Sequence, residues 1–226
     1  AAVPVEVEAA DPPAAAATAG IIEHAMRDAG ASTVRLALGH VSVPALWSLC
    51  HAASPILARL DPALKSMQFI EDGAVPPDRL ADYVRGVRRA LESRGVRGVI
   101  FGHAGDAHVH VNPLVDVRRP DWREVIAGLL DEVTALAVGL GGAIAGEHGD
   151  GRLRTPLLGR VWRWPAAALF RAVKESFDPT GILNPGVKVP LADQLPIEAI
   201  KYDPGLEPHP RAARRALDTV EGGRGY

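Results

Sequence analysis

The stretch Val99-Ile100-Phe101-Gly102-His103-Ala104-Gly105-Asp106-Ala107-His108-Val109-His110-Val111-Asn112-Pro113 decides how this chain folds. A β-branched, apolar run leads into a glycine-aspartate turn signal, and Val109 and Val111 alternate with His108, His110 and Asn112 on the way out. That pattern predicts a β-hairpin with one polar face. On one straight strand His103 and His110, an odd number of residues apart, would point to opposite sides. Folding back at Gly105-Asp106 removes the conflict and sets His103 opposite or diagonal to His108 and His110. Two imidazoles facing each other across such a turn suit a divalent metal.

The residues alone leave two readings of this cluster open. Hairpin histidines bind metals, and they also occur solvated or bonded to neighbouring backbone. The segment from Gly141 to Arg152 bears on the choice, because it gathers Gly141, Gly142, Gly146, Gly149 and Gly151 around an adjacent acid and histidine. Its spacing matches neither a P-loop nor a dinucleotide fingerprint, and it follows a helical pattern where those follow a strand. Nucleotide binding by this loop is therefore set aside. Glycine lets the backbone pass close to another group, which leaves Glu147 and His148 to face the open space. A carboxylate is the third ligand that a two-histidine site takes, and His148 would then be a base beside the bound group. The plain alternative is a helix-to-helix connection with two solvated polar residues.

Outward from these segments the chain alternates strand and helix patterns. Val3, Val5 and Val7 alternate with Pro4, Glu6 and Glu8, which predicts a half-buried strand. Asp11-Pro12-Pro13 starts an alanine-rich helix that runs through Ile21, Ile22, Ala25 and Met26 and stops at Gly30. Thr33 to Leu38 reads as a second strand, Val43 to Leu60 as an amphipathic helix, and Ser66 to Pro76 as a strand ended by proline. Pro76 and Pro77 open a helix with Leu80, Tyr83, Val84 and Val87 at helical spacing. Asp121 to Leu140 predicts a long helix with Ile126, Leu129, Leu130, Val133 and Leu136 inward, and Ala166 to Phe177 predicts another. Asp178-Pro179-Thr180-Gly181-Ile182-Leu183-Asn184-Pro185-Gly186 reads as a turn-rich closing loop. Strands separated by helices, with one tight hairpin, predict an α+β sandwich whose sheet carries helices on one face.

Composition narrows the function classes. The 226 residues are 47% hydrophobic and 23% charged with a formal net charge of -2, so the chain can bury a substantial core and carries no basic field for nucleic acid or an anionic membrane. The four tryptophans lack the basic groove of a base-stacking platform. The single cysteine, Cys50, excludes an internal disulfide and fits a reducing, cytoplasmic setting. Neither a membrane span nor a signal peptide is visible. A first residue Ala1 in place of methionine is read as a sign that the natural polypeptide begins further upstream.

Four motifs, in order, carry a family resemblance: Gly102-His103-Ala104-Gly105-Asp106, His110-Val111-Asn112-Pro113, Gly146-Glu147-His148-Gly149-Asp150-Gly151 and the closing loop Asp178 to Gly186. Together they resemble the C-terminal domain of FAD-linked oxidases, the D-lactate, glycolate and D-2-hydroxyglutarate dehydrogenase relatives of the vanillyl-alcohol oxidase superfamily. The likeness runs from about Val34 to Pro190. It implies a ferredoxin-like α+β cap or substrate domain over residues 1–190, an antiparallel sheet with helices on one face, and a C-terminal helical tail over 191–226. It also implies a flavin-binding domain that is absent from this chain and would hold the FAD. The implied activity is oxidation of a small D-2-hydroxy acid to the 2-oxo acid. By the resemblance, His103, His110 and Glu147 would ligate zinc or manganese, His148 would be the general base, and Asn112 a substrate contact. Gly146 and Asn184 would lie toward the flavin. Electron acceptor and homo-oligomerisation stay open.

Two departures from the family pattern matter. Leu46-Trp47-Ser48-Leu49 is followed by Cys50 where related sequences carry an arginine, and a thiol lacks the donor fork that a carboxylate favours. Arg152 is the residue assigned to the substrate in its place, with Arg154 as the other candidate. Ala107-His108 stands where glycine-asparagine is commoner, which makes His108 a rival ligand to His110. Two other classes remain as alternatives: a stand-alone metal-dependent hydrolase using the same residues, and a non-catalytic α+β binding module.

Overall fold

A computed structural model describes residues 3–37, 44, 47–48, 64–198, 200, 203–205 and 209–222. The chain divides into two compact units, Ala1–Asp61 and Pro62–Tyr226. In the first, helix α1 (Pro12–Asp28) begins where the sequence predicts, with the Asp11 carboxylate accepting the Ala14 N–H at 2.8 Å. Val3 and Val5 form no strand and stand exposed. Alternation is only a local signal, and a strand also needs an edge to pair with. Residues 31–37 are likewise irregular. The helix expected from Val43 to Leu60 lies outside the described residues apart from 44, 47 and 48, and so does Cys50.

The second unit is built on four strands, β1 (Leu64–Ser66), β2 (Gly73–Ala74), β3 (Arg97–His103) and β4 (His108–Asp116). All pairings are antiparallel and all involve β4. Strand β3 flanks β4 along its length, while β1 and β2 share the other edge, β1 against Leu114–Asp116 and β2 against His108 and Val109. The single strand expected from Ser66 to Pro76 is thus two short ones. Asp72 breaks it with a φ of 76, and the segment between turns Met67 and Phe69 into the core.

Helices α2 (Leu80–Ser93) and α3 (Trp122–Gly139) cover one face of the sheet. Tyr83, Val87, Ile126, Leu129 and Val133 are buried there with Val109, Val111 and Val115 of β4, matching the helical spacing in the sequence. Each fully buried aliphatic side chain of this kind stabilises the fold by about 2 kcal/mol. Gly86 lets the two helices close together, since a Cβ there would run into the Leu136 side chain. Two short helices, α4 (Gly151–Arg154) and α5 (Leu158–Val161), lead to α6 (Trp164–Phe177), which buries no residue, and α7 (Arg211–Gly222) lies near the C-terminus. No described helix is long and apolar enough to cross a membrane.

Candidate metal centre

The face of β4 turned away from the helices carries His108, His110 and Asn112, all buried. The hairpin turn is a single 3-10 turn, Ala104–Asp106, closed by Ala107 in the left-handed region. This sets His103 directly across from His108 and diagonal to His110. The His103 and His108 rings lie parallel with centroids 5.7 Å apart, and the His110 ring stands edge-on to both, 5.8 Å from His103 and 4.4 Å from His108.

The glycine-rich segment reaches the hairpin by extending the sheet. Ala74 and Ala143 exchange two backbone hydrogen bonds, and Gly146 N–H donates to Asp72 O at 2.8 Å. Gly146 sits so close to the His108 ring that a Cβ would fall 2.6 Å from Cδ2. Glu147 is thereby brought to all three imidazoles: Oε1 is 3.7 Å from His103 Nε2 and 3.6 Å from His108 Nδ1, and Oε2 is 3.7 Å from His110 Nε2. One ligand atom from each of these four residues lies within 4.8 Å of the others. In a tetrahedral site with bonds of about 2.0–2.1 Å, neighbouring ligand atoms stand roughly 3.3 Å apart, so small side-chain adjustments would accommodate an ion.

Burial lowers the His110 pKa, and the neighbouring His108 and His148 push it the same way. The ring is neutral at neutral pH and has a lone pair to give. His148 is turned the other way. Its Nδ1 lies 2.8 Å from Glu71 Oε2, and this hydrogen bond raises its pKa. The His148 ring stacks over His110, with centroids 5.1 Å apart.

Two acids hold this arrangement, and neither stands out in the sequence reading, which takes both into an ordinary strand. Asp72 is fully buried. Its Oδ1 meets His108 Nε2 at 2.8 Å and accepts the Glu147 N–H at 2.8 Å, while Oδ2 accepts the His148 N–H at 2.9 Å. Burial alone would raise its pKa, but these donors and Arg154 outweigh it and leave the carboxyl below the usual range. Arg154 is buried too, and donates to the carbonyls of Glu71, Ile144 and Gly149 and to Glu71 Oε1. It clamps the scaffold. The signal that marks this corner is Asp72-Gly73, a turn dipeptide inside an apparent strand.

The remaining site candidates lie with the closing loop. Arg152 donates from Nε to Pro185 O at 3.2 Å and, with Gly186, Leu191 and Gln194, lines a cleft of about 450 Å³. Asn184 is exposed on that loop with a φ of 48, a conformation that asparagine tolerates better than most residues. The loop is pinned from within, since the Asp178 carboxylate accepts the Ile182 and Leu183 N–H groups and pairs with Lys174.

Residues 1–187 match the family of FAD linked oxidases, C-terminal domain. The chain is 33% identical to D-2-hydroxyglutarate dehydrogenase of Escherichia coli over 163 residues, 70% of this chain and 16% of that protein. It is 32% identical to glycolate oxidase subunit GlcD of Bacillus subtilis over 165 residues, 73% of this chain and 34% of that protein. To D-lactate dehydrogenase of Archaeoglobus fulgidus it is 38% identical over 122 residues, 54% of this chain and 27% of that protein. The chain thus spans about a third or less of the length of these relatives, and neither the hydrolase nor the binding-module alternative finds support among them. The chain belongs to the FAD-linked oxidases, as their C-terminal domain.

Proposed function

We propose that this chain is the substrate and metal domain, over residues 1–190, of an FAD-dependent dehydrogenase acting on a small D-2-hydroxy acid of the lactate, glycolate or 2-hydroxyglutarate type. The observation that carries the reading is the convergence of His103, His110 and Glu147, from two distant segments, with His148 beside them. His103 Nε2, His110 Nε2 and the Glu147 carboxylate would hold zinc or manganese. When bound, such an ion supplies Lewis acidity to the hydroxyl and carboxylate oxygens of the substrate. FAD, carried by an upstream domain, supplies the hydride acceptor.

The chain's own residues do the rest. Glu71 keeps the His148 proton on Nδ1, so Nε2 offers a lone pair for the substrate hydroxyl proton. The same carboxylate raises the ring's affinity for that proton. Asn112, two residues beyond His110 on the same face of β4, would contact a substrate oxygen. Arg152 and Asn184 serve from the closing-loop side, toward substrate carboxylate and flavin respectively, and Gly146 admits the close approach of the loop to the cluster. The lone Cys50 suits a cytoplasmic setting.

Metal analysis tests the site directly. The chain is expected to retain about one equivalent of zinc or manganese after desalting, and His103→Ala and Glu147→Ala are each expected to lose it. Unchanged metal content in both variants would remove the basis of the proposal. In a protein extended to include the flavin domain, a D-2-hydroxy acid is expected to bleach the flavin absorbance, and His148→Ala to slow that bleaching at least a hundredfold.

A further inference from the structure

We infer that His108 is a fourth protein ligand of the same metal, bound through Nδ1 and oriented by Asp72. This rests on the metal site proposed above. His108 Nδ1 is the one buried side-chain nitrogen or oxygen among the described residues that has no hydrogen-bond partner. Buried polar atoms are rarely left so. The ring is only 4% exposed, which leaves water little access to that atom.

The chemistry of the neighbours says what Nδ1 takes. Asp72 already accepts the Glu147 and His148 N–H groups through its two oxygens, so the His108 nitrogen 2.8 Å from it, Nε2, donates and carries the proton. Nδ1 is then a lone pair, and the nearest carboxylate oxygen, Glu147 Oε1 at 3.6 Å, is another acceptor. Two acceptors facing each other, with the imidazole nitrogen itself buried and unpartnered, call for a positive charge between them. The gap is too long for one hydrogen bond and close to the spacing of two ligands on one ion. A carboxylate that fixes the other nitrogen of a metal-bound imidazole is the usual outer partner of such a ligand, and Asp72 has that position. Gly146 leaves the room that this ring orientation needs, since a Cβ there would fall 2.6 Å from His108 Cδ2 and 2.8 Å from Nε2.

Three imidazoles and a carboxylate fill a tetrahedral zinc ion, so the site would hold metal firmly before any substrate arrives. A substrate that chelates through two oxygens would then complete a six-coordinate ion, which favours metals that accept six ligands, such as manganese.

The test uses the whole chain. With ¹⁵N-labelled histidine, adding Zn²⁺ is expected to shift the Nδ1 resonance of His108 as a metal-bound nitrogen, with Nε2 remaining protonated. A Nδ1 signal that stays put at saturating Zn²⁺, or that carries a proton throughout, overturns the inference. Competition with a chelator gives a second readout, with His108→Asn expected to lose Zn²⁺ affinity at least tenfold and to alter the visible Co²⁺ spectrum. Equal affinity and spectrum in His108→Asn, with metal lost in His103→Ala, would sink the fourth ligand and leave the proposed function standing. No metal bound by the unaltered chain would sink both.

Discussion

The imidazole cluster and the closing loop are both turn-rich corners organised by one buried aspartate, but the two aspartates work over different distances. Asp178 serves groups four and five residues away and its own helix-end lysine, four residues back. Asp72 serves His108, Glu147 and His148, which are 36, 75 and 76 residues away. A local staple shapes its own loop. A long-range one fixes three separate segments at once, and only such a device holds ligands from distant parts of the chain in one place.

The largest effect that would break this contrast is Asp72→Ala. It leaves His108 Nε2 and two N–H groups without their acceptor and leaves buried Arg154 short of a negative partner, so the expected loss is about 3–5 kcal/mol by denaturant unfolding. Metal retention should fall with it. Asp178→Ala should act locally, with faster proteolysis between 178 and 186 and unchanged metal content. A drop in metal content would show that the closing loop and the cluster are coupled. The pairing with Lys174, followed by the N–H bonds from Leu183 and Ile182, lowers the Asp178 pKa. Its contribution is therefore present above the unfolded carboxyl value, near 3.9, and disappears as pH falls through the lower folded value.

The smallest expected effect concerns His148. Its folded pKa is raised, mainly by the hydrogen bond to Glu71, so its contribution is complete below about pH 6.5 and is lost as pH rises through the folded value. The stability gap between the unaltered chain and His148→Asn should shrink over that rise. A gap that widens with pH would contradict the Glu71 pairing.

The same contrast in range explains what was legible in the sequence. The hairpin, α1 and the apolar faces of α2 and α3 announce themselves through signals a few residues apart: Gly105-Asp106, Asp11-Pro12, and apolar residues at helical spacing. The place of Glu147 beside the histidines follows from complementarity of ligand types, once the glycines are taken as room for a close approach. The scaffold roles of Glu71 and Asp72, and of Arg154, which the sequence offers only as a rival to Arg152 for the substrate, were not legible because they exist only after β2 has paired with β4 and Ala143. Val3 to Val7 fails in the opposite sense, showing a clear alternation without a partner strand among the described residues.

The sharing of Asp72 has a mechanical result. Because one carboxylate grips both a hairpin imidazole and the backbone on which Glu147 and His148 ride, these parts are geared together, and pulling the loop outward must drag the His108 ring with it. Damage to either side should therefore be felt once, not twice: combining Gly146→Ala with His108→Asn should cost less than the two separate losses added together, since each slackens the same gear.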